Sequence, residues 1–303
     1  MAVAVTAAAG SAARAAGAVG RWLTAPVPLG RVAAFRTVVY LYLVVDLLLV
    51  TSSVRAHANV PGDLYQPLMV ARLLPLPEPT PLLVNAIFWA LIGLSLAAAT
   101  GRAPRLLGVT IFLLYFQWMI IAMSYGKVDH DRVGLLVALA VLPTVGRARH
   151  GDPTRSEPAG WALRMTQIAV IATYFLAAWA KLRLEGPDWM TSSVLAWAIL
   201  RRGTEFAHLI AQVPYLLVVS QFGIVAFELL SPAVFMLRER WRLRCVGFFY
   251  LFHLSVFATI TISFAPHLVA MTSFLPLEKV RPIERWRRSR AANKPQPAEA
   301  VTM

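Results

Sequence analysis

Residues 32–50 read VAAFRTVVYLYLVVDLLLV, a run in which only Arg36 and Asp46 carry charge. A helix needs about 20 mainly apolar residues to cross the hydrocarbon core of a bilayer. The run therefore predicts a transmembrane helix. Blocks of the same kind recur at 82–100, 106–123, 161–180, 213–236 and 246–264, with a shorter one at 133–145. A last apolar piece, 267–277, follows Pro266. It is too short for an ordinary span and reads as re-entrant, or as the second half of a broken helix. Residues 189–200 form a further amphipathic stretch suited to the interface. The expected fold is an all-α polytopic helical membrane protein with about seven to eight membrane segments, the last one short or re-entrant.

Composition points the same way. Apolar residues make up 58% of the 303 and charged residues 15%, against about 45–50% and 25% in soluble domains. Mean hydropathy is +0.62. Such a chain folded in water would expose too much apolar surface, which excludes a soluble globular enzyme and a disordered chain. Net charge is +14. The bases sit mostly in short connections between apolar blocks, which is the pattern of a membrane protein and not that of a nucleic-acid binder. Cys245 is the only cysteine, so no intrachain disulfide or CxxC motif is available.

Three regions follow. Residues 1–30 are an Ala-rich arm without the hydrophobic core of a secretory signal. Residues 31–278 are the membrane domain. Residues 279–303 are a basic tail, expected to be disordered, whose Arg285, Arg287, Arg288, Arg290 and Lys294 suit anionic lipid. If the last apolar piece returns the chain to its starting side, that side carries 20 bases and the other 8. The excess predicts a cell-membrane protein with both termini cytoplasmic.

Inside the spans, Arg36, Asp46, Glu228 and His253 stand out, because each is costly in lipid unless paired or facing a cavity. Arg36 and Asp46 lie ten residues apart, about 15 Å along one helix, and cannot pair. Arg36 and Glu228 are expected at similar depth and are paired here as a structural ion pair. Asp46 is expected near the outer end, where it would meet Lys181. Only 4 of the 29 bases are lysine. Lys181 ends the apolar run ATYFLAAWAK. Arginine keeps its proton in proteins, whereas a desolvated lysine can act as a general base. The bland alternative is a lysine snorkelling to the interface. His130 lies between Asp129 and Asp131 at the mouth of the fourth block, where a carboxylate neighbour can fix its tautomer. No metal-binding spacing is present.

The run YFLAAWAKLRLEGPDW, Tyr174 to Trp189, resembles the aromatic–small–Lys–Leu–Trp signature of the HTTM (horizontally transferred transmembrane) family. That domain is shared with vitamin K-dependent γ-glutamyl carboxylase. Phe35, Arg36 and Asp46 resemble the family's first helix. Asp129–His130 followed by GLLVALAVL resembles its Asn/His motif. FELLSP around Glu228 and LFHLSVF around His253 are similar in order and content. The resemblance spans about residues 30–278. It implies that Lys181 acts as the catalytic base on a quinone such as reduced vitamin K or menaquinone, with His130 stabilising oxyanion character. Tyr174, Trp189, Asp129 and His253 would line the substrate site.

There are departures. Asp129 stands where the family has asparagine, and Ala180–Lys181 stands where the carboxylase has two lysines. The chain is expected to lack the large extracytoplasmic part of the carboxylase, so γ-carboxylation of glutamate is not expected. What remains is a membrane enzyme acting on a quinone-like or lipid substrate. A non-catalytic scaffold or partner of another membrane protein is the alternative.

Overall fold

The computed structural model describes residues 17–280. In chain order its main helices are α1 (Leu29–Val50), α2 (Pro81–Ala99), α3 (Pro104–Met123), α4 (Val133–Val145), α5 (Glu157–Leu184), α6 (Val194–Arg202), α7 (Glu205–Ala211), α8 (Leu216–Met236), α9 (Glu239–Ile260) and α10 (Ala265–Met271). Among the described residues the only sheet is a two-residue antiparallel bridge, β1 (Val27–Pro28) against β2 (Arg155–Ser156). The chain is an all-α, polytopic helical membrane protein.

Helix α1 shows how sequence sets packing. Val32, Phe35, Val39, Tyr40, Leu43 and Leu47 recur at helical spacing and are buried, while Leu41, Leu48 and Leu49 on the other face stay exposed. A helix apolar on both faces belongs in lipid, with one face on protein and one on acyl chains. Its last turn, Asp46–Val50, is a π-helix. Single π-turns of this kind are frequent at functional sites. Proline opens α2 and α3, where its missing N–H costs nothing.

Six helices, α1, α2, α3, α5, α8 and α9, are long and apolar enough to cross a membrane. That corrects the expected seven to eight segments. Helix α4 has 13 residues, about 20 Å of rise against a core of about 30 Å. It packs between α3 and α5 and also meets α1 and α10. A helix sheathed by protein need not match the thickness of lipid. Two close contacts seat it. A Cβ on Gly108 of α3 would fall 2.8 Å from the Pro143 ring, and one on Gly134 of α4 would fall 2.8 Å from Val170.

Helix α10 has 7 residues and packs on α4, α5 and α1. The chain then returns to the start of α1, where Arg31 donates from Nε and Nη2 to the Glu278 carboxylate at 2.8 and 2.7 Å. Both ends of the described chain thus meet at one end of the bundle. Part of the N-terminal arm is seated there too: Trp22 meets Phe235 edge-on, and the Arg164 guanidinium lies 5.0 Å over the Trp22 ring. Residues 1–16 of the arm and the tail from 281 onward lie outside the described residues.

Candidate functional site

Helix α5 presents Thr173, Tyr174, Ala177 and Lys181 on one face, by three- and four-residue steps. Against this face stand Glu228 of α8, Phe252, His253 and Val256 of α9, and His267 of α10. His130 and Val133 close the end of the space before α4. Together these side chains line a mostly apolar, partly open cavity of about 640 Å³. That is the size range of sites for small lipophilic molecules, about 300–1,000 Å³.

Helix α5 runs on to Leu184, so Lys181 lies in its last turn. Its ammonium donates to Glu228 Oε2 at 2.6 Å, with the lysine side chain 23% exposed and the carboxylate 9%. The same Nζ lies 5.2 Å from the centre of the Trp189 ring. A second polar group sits about two helical turns away. Tyr174 Oη and His253 Nε2 are 2.6 Å apart. The His253 and His267 rings are 5.2 Å apart, and His267 meets Tyr174 at right angles. His253 Nδ1 and both ring nitrogens of His267 find no protein partner among the described residues. His267 is only 1% exposed. Buried polar atoms are normally satisfied, and these three nitrogens are not.

The residues singled out in the sequence separate into distinct places. Lys181, His130, Tyr174 and His253 line the common cavity. Trp189 is buried and stacks near Lys181, but it is not part of the cavity wall. Asp129 pairs with the exposed Lys127 at 2.7 Å, outside the cavity.

Two pairings need correction. Arg36 does not meet Glu228; its Nη1 donates to the Gly146 carbonyl at 3.0 Å, while Glu228 reaches Lys181 across the α5–α8 contact. Nor does Asp46 meet Lys181. It accepts from Arg132 Nη1 at 2.8 Å and Tyr115 Oη at 2.9 Å. Thr51 and Tyr42 hydroxyls stand 3.3 Å from the same carboxylate, and Trp118 donates to Thr51. Arg132 opens α4 rather than a solvated loop. Burial alone would lower its pKa, but Tyr115 and Asp46 beside it hold it above the ordinary value. Burial pushes the neighbouring Asp131 carboxyl up.

Sequence reasoning missed His267, Gln221 and the Asp46 network. Gln221, 1% exposed, donates to the carbonyls of Trp189, Met190 and Ser192 and fixes the segment after α5 on α8. Tyr115 and Trp118 lie three apart on one face of α3, the available signal for two aromatic polar tips turned to one polar cluster, Tyr115 to Asp46 and Trp118 to Thr51. No group of three His, Cys, Asp or Glu side chains that could hold a metal occurs among the described residues. Comparison of the chain with family models, curated proteins and solved structures gives no match.

Proposed function

We propose that the protein is an HTTM-like membrane enzyme that binds a quinone-like lipophilic molecule in the α5–α8–α9–α10 cavity and moves a proton through Lys181. The observation that carries this is an apolar cavity holding one lysine–carboxylate pair and three unpartnered imidazole nitrogens. Apolar walls with a few convergent polar groups suit a flat ring bearing oxygens. The small residues Ala169, Ala172 and Ala177 leave room for it on α5. The free nitrogens of His253 and His267 would donate to or accept from a ring oxygen.

An ammonium is not a base. Lys181 becomes one when its proton passes to Glu228 Oε2, 2.6 Å away. In a low-dielectric site the neutral pair gains on the charged one, because both charges are costly there. The free amine at Nζ can then take the proton from a ligand hydroxyl, whose O–H bond breaks as N–H forms. His130 on the same cavity would hydrogen-bond the oxyanion so formed.

Reduced menaquinone in lipid nanodiscs provides the test, since a deprotonated hydroquinone gives electrons to oxygen more readily than a neutral one. Oxygen uptake should fall about 10²–10⁴-fold in Lys181→Arg, the usual contribution of a general base. Binding, read as saturable quenching of tryptophan fluorescence by menaquinone, should survive. Unchanged uptake in Lys181→Arg would sink the role of the lysine.

The same reading places the protein in the cell membrane with both termini cytoplasmic. The meeting of Arg31 with Glu278 at one end of the bundle supports it, and so does the 20-to-8 excess of bases when the short α4 and the α10 segment carry the chain across along with the six long helices.

A further inference from the structure

A second cavity lies away from the first, where α1, the end of α2 and the α4–α5 connection meet. Its volume is about 300 Å³. Two segments of similar sequence border it: Gly101-Arg102-Ala103-Pro104-Arg105, which leads into α3, and Gly146-Arg147-Ala148-Arg149-His150, which follows α4. They run close together, since a Cβ on Gly101 would lie 3.9 Å from the Ala148 carbonyl oxygen. Arg36, Arg102, Arg149, His150, Thr37 and Thr100 supply its polar lining, and no carboxylate lines it among the described residues.

Arg36 is the decisive group. It is 2% exposed and deep in a membrane helix, yet only Nη1 is satisfied, by the Gly146 carbonyl; Nη2 has no partner among the described residues. A buried guanidinium held by one neutral carbonyl lacks a counter-ion, which is costly unless one arrives from outside. Thr37 Oγ1 lies 3.0 Å from His150 Nε2, fixing the imidazole at the rim. Arg102 and Arg149 are exposed and form no ion pair among the described residues. Asp152, further along the connection, is engaged by the Thr154 backbone N–H at 2.9 Å.

We propose that this cavity is an anion site that takes a phosphate group, with Arg36 as the buried anchor and Arg102 and Arg149 as the outer clamp. Guanidinium forks match phosphate oxygens in pairs. Basic pockets between membrane helices are where anionic lipid headgroups bind. A phospholipid headgroup and a soluble phosphate share this chemistry, and the experiment separates them.

Purified full-length protein in a neutral detergent is mixed with equal amounts of phosphatidylglycerol and phosphatidylcholine and read by native mass spectrometry. In parallel, inorganic phosphate is titrated without lipid while thermal unfolding is followed. Arg36→Gln removes an internal hydrogen bond as well, so the working variant is Arg102→Gln/Arg149→Gln, with exposed Arg201→Gln/Arg202→Gln as the control. Wild type should retain phosphatidylglycerol in preference to phosphatidylcholine. The working variant should lower that preference about 25-fold, taking roughly fivefold for each basic side chain near the surface, and the control should not. A phosphate-dependent rise in Tm that the working variant loses, without a lipid preference, assigns the same site to a soluble phosphate. If wild type responds to neither probe, or the working variant matches wild type in both, the site is overturned.

Discussion

Asp46 is fully buried and Arg132 nearly so, and each is the other's counter-charge at 2.8 Å. Removing one member strands the other, at a typical cost of about 3–5 kcal/mol. Asp46→Leu and Arg132→Met should each lose that much stability, and the double variant should lose less than either. Thermal unfolding in detergent reads all three; a double variant worse than both singles would refute the pair. Sequence identified Asp46, Arg36 and Glu228 as groups that lipid would not tolerate, and all three are buried. It did not give their partners. Position along a helix is legible from residue count, but the face a side chain turns to depends on neighbours that sequence order does not specify. Arg132 precedes an apolar block, the usual place of a loop base, yet it caps α4 and turns inward to α1 and α3. Lys181 stood out because the chain otherwise prefers arginine; Glu228 as its partner left no such mark.

At the scale of elements, the long spans were legible because each is a block of apolar residues near the thickness of the membrane. Helices α4 and α10 were harder, since protein and not lipid surrounds them and their length need not match the bilayer. Helix α4 relies on close approach to α5 and α10 at Gly134, where a Cβ would lie 2.8 Å from Val170 and 3.1 Å from Ala270. Gly134→Ile should cost about 1–3 kcal/mol by overpacking, whereas Gly93→Ile, with nothing within 4 Å, should be close to neutral. Equal Tm values for the two variants would contradict this packing. The Arg31–Glu278 pair ties the last segment to α1 and has a pH signature. Burial alone would raise the Glu278 carboxyl, but the bidentate Arg31 holds it below its ordinary value of 4.5. A carboxylate depressed in the folded state stabilises fully above that value, and the contribution is lost as pH falls through the lower folded value. Wild type should therefore lose more Tm on acidification below pH 4.5 than Glu278→Gln does, and parallel curves would count against the tie.

Across the whole molecule, one apolar cluster unites α1 to α4 with the start of α5, and a second unites the middle of α5 with α8, α9 and α10. Helix α5 belongs to both, and the cavity opens along its second half. That arrangement turns a row of alanines, a tyrosine and a lysine on one helix into a wall, and brings His130, Glu228, His253 and His267 to it from four other places in the chain. The sequence motif around Lys181 marked the wall. The opposing side, His267 above all, was illegible because it depends on how a seven-residue helix folds back onto α4 and α5. The central claim is that this cavity holds a quinone-like molecule. Its most direct test is mass spectrometry of the lipophilic molecules extracted from protein purified in mild detergent, comparing wild type with Ala177→Phe, whose ring would fill the space. A quinone retained in a fixed ratio by wild type and largely lost from a folded Ala177→Phe variant is the predicted result. Equal quinone content in the two proteins, or none in wild type purified from quinone-rich membranes, would contradict it.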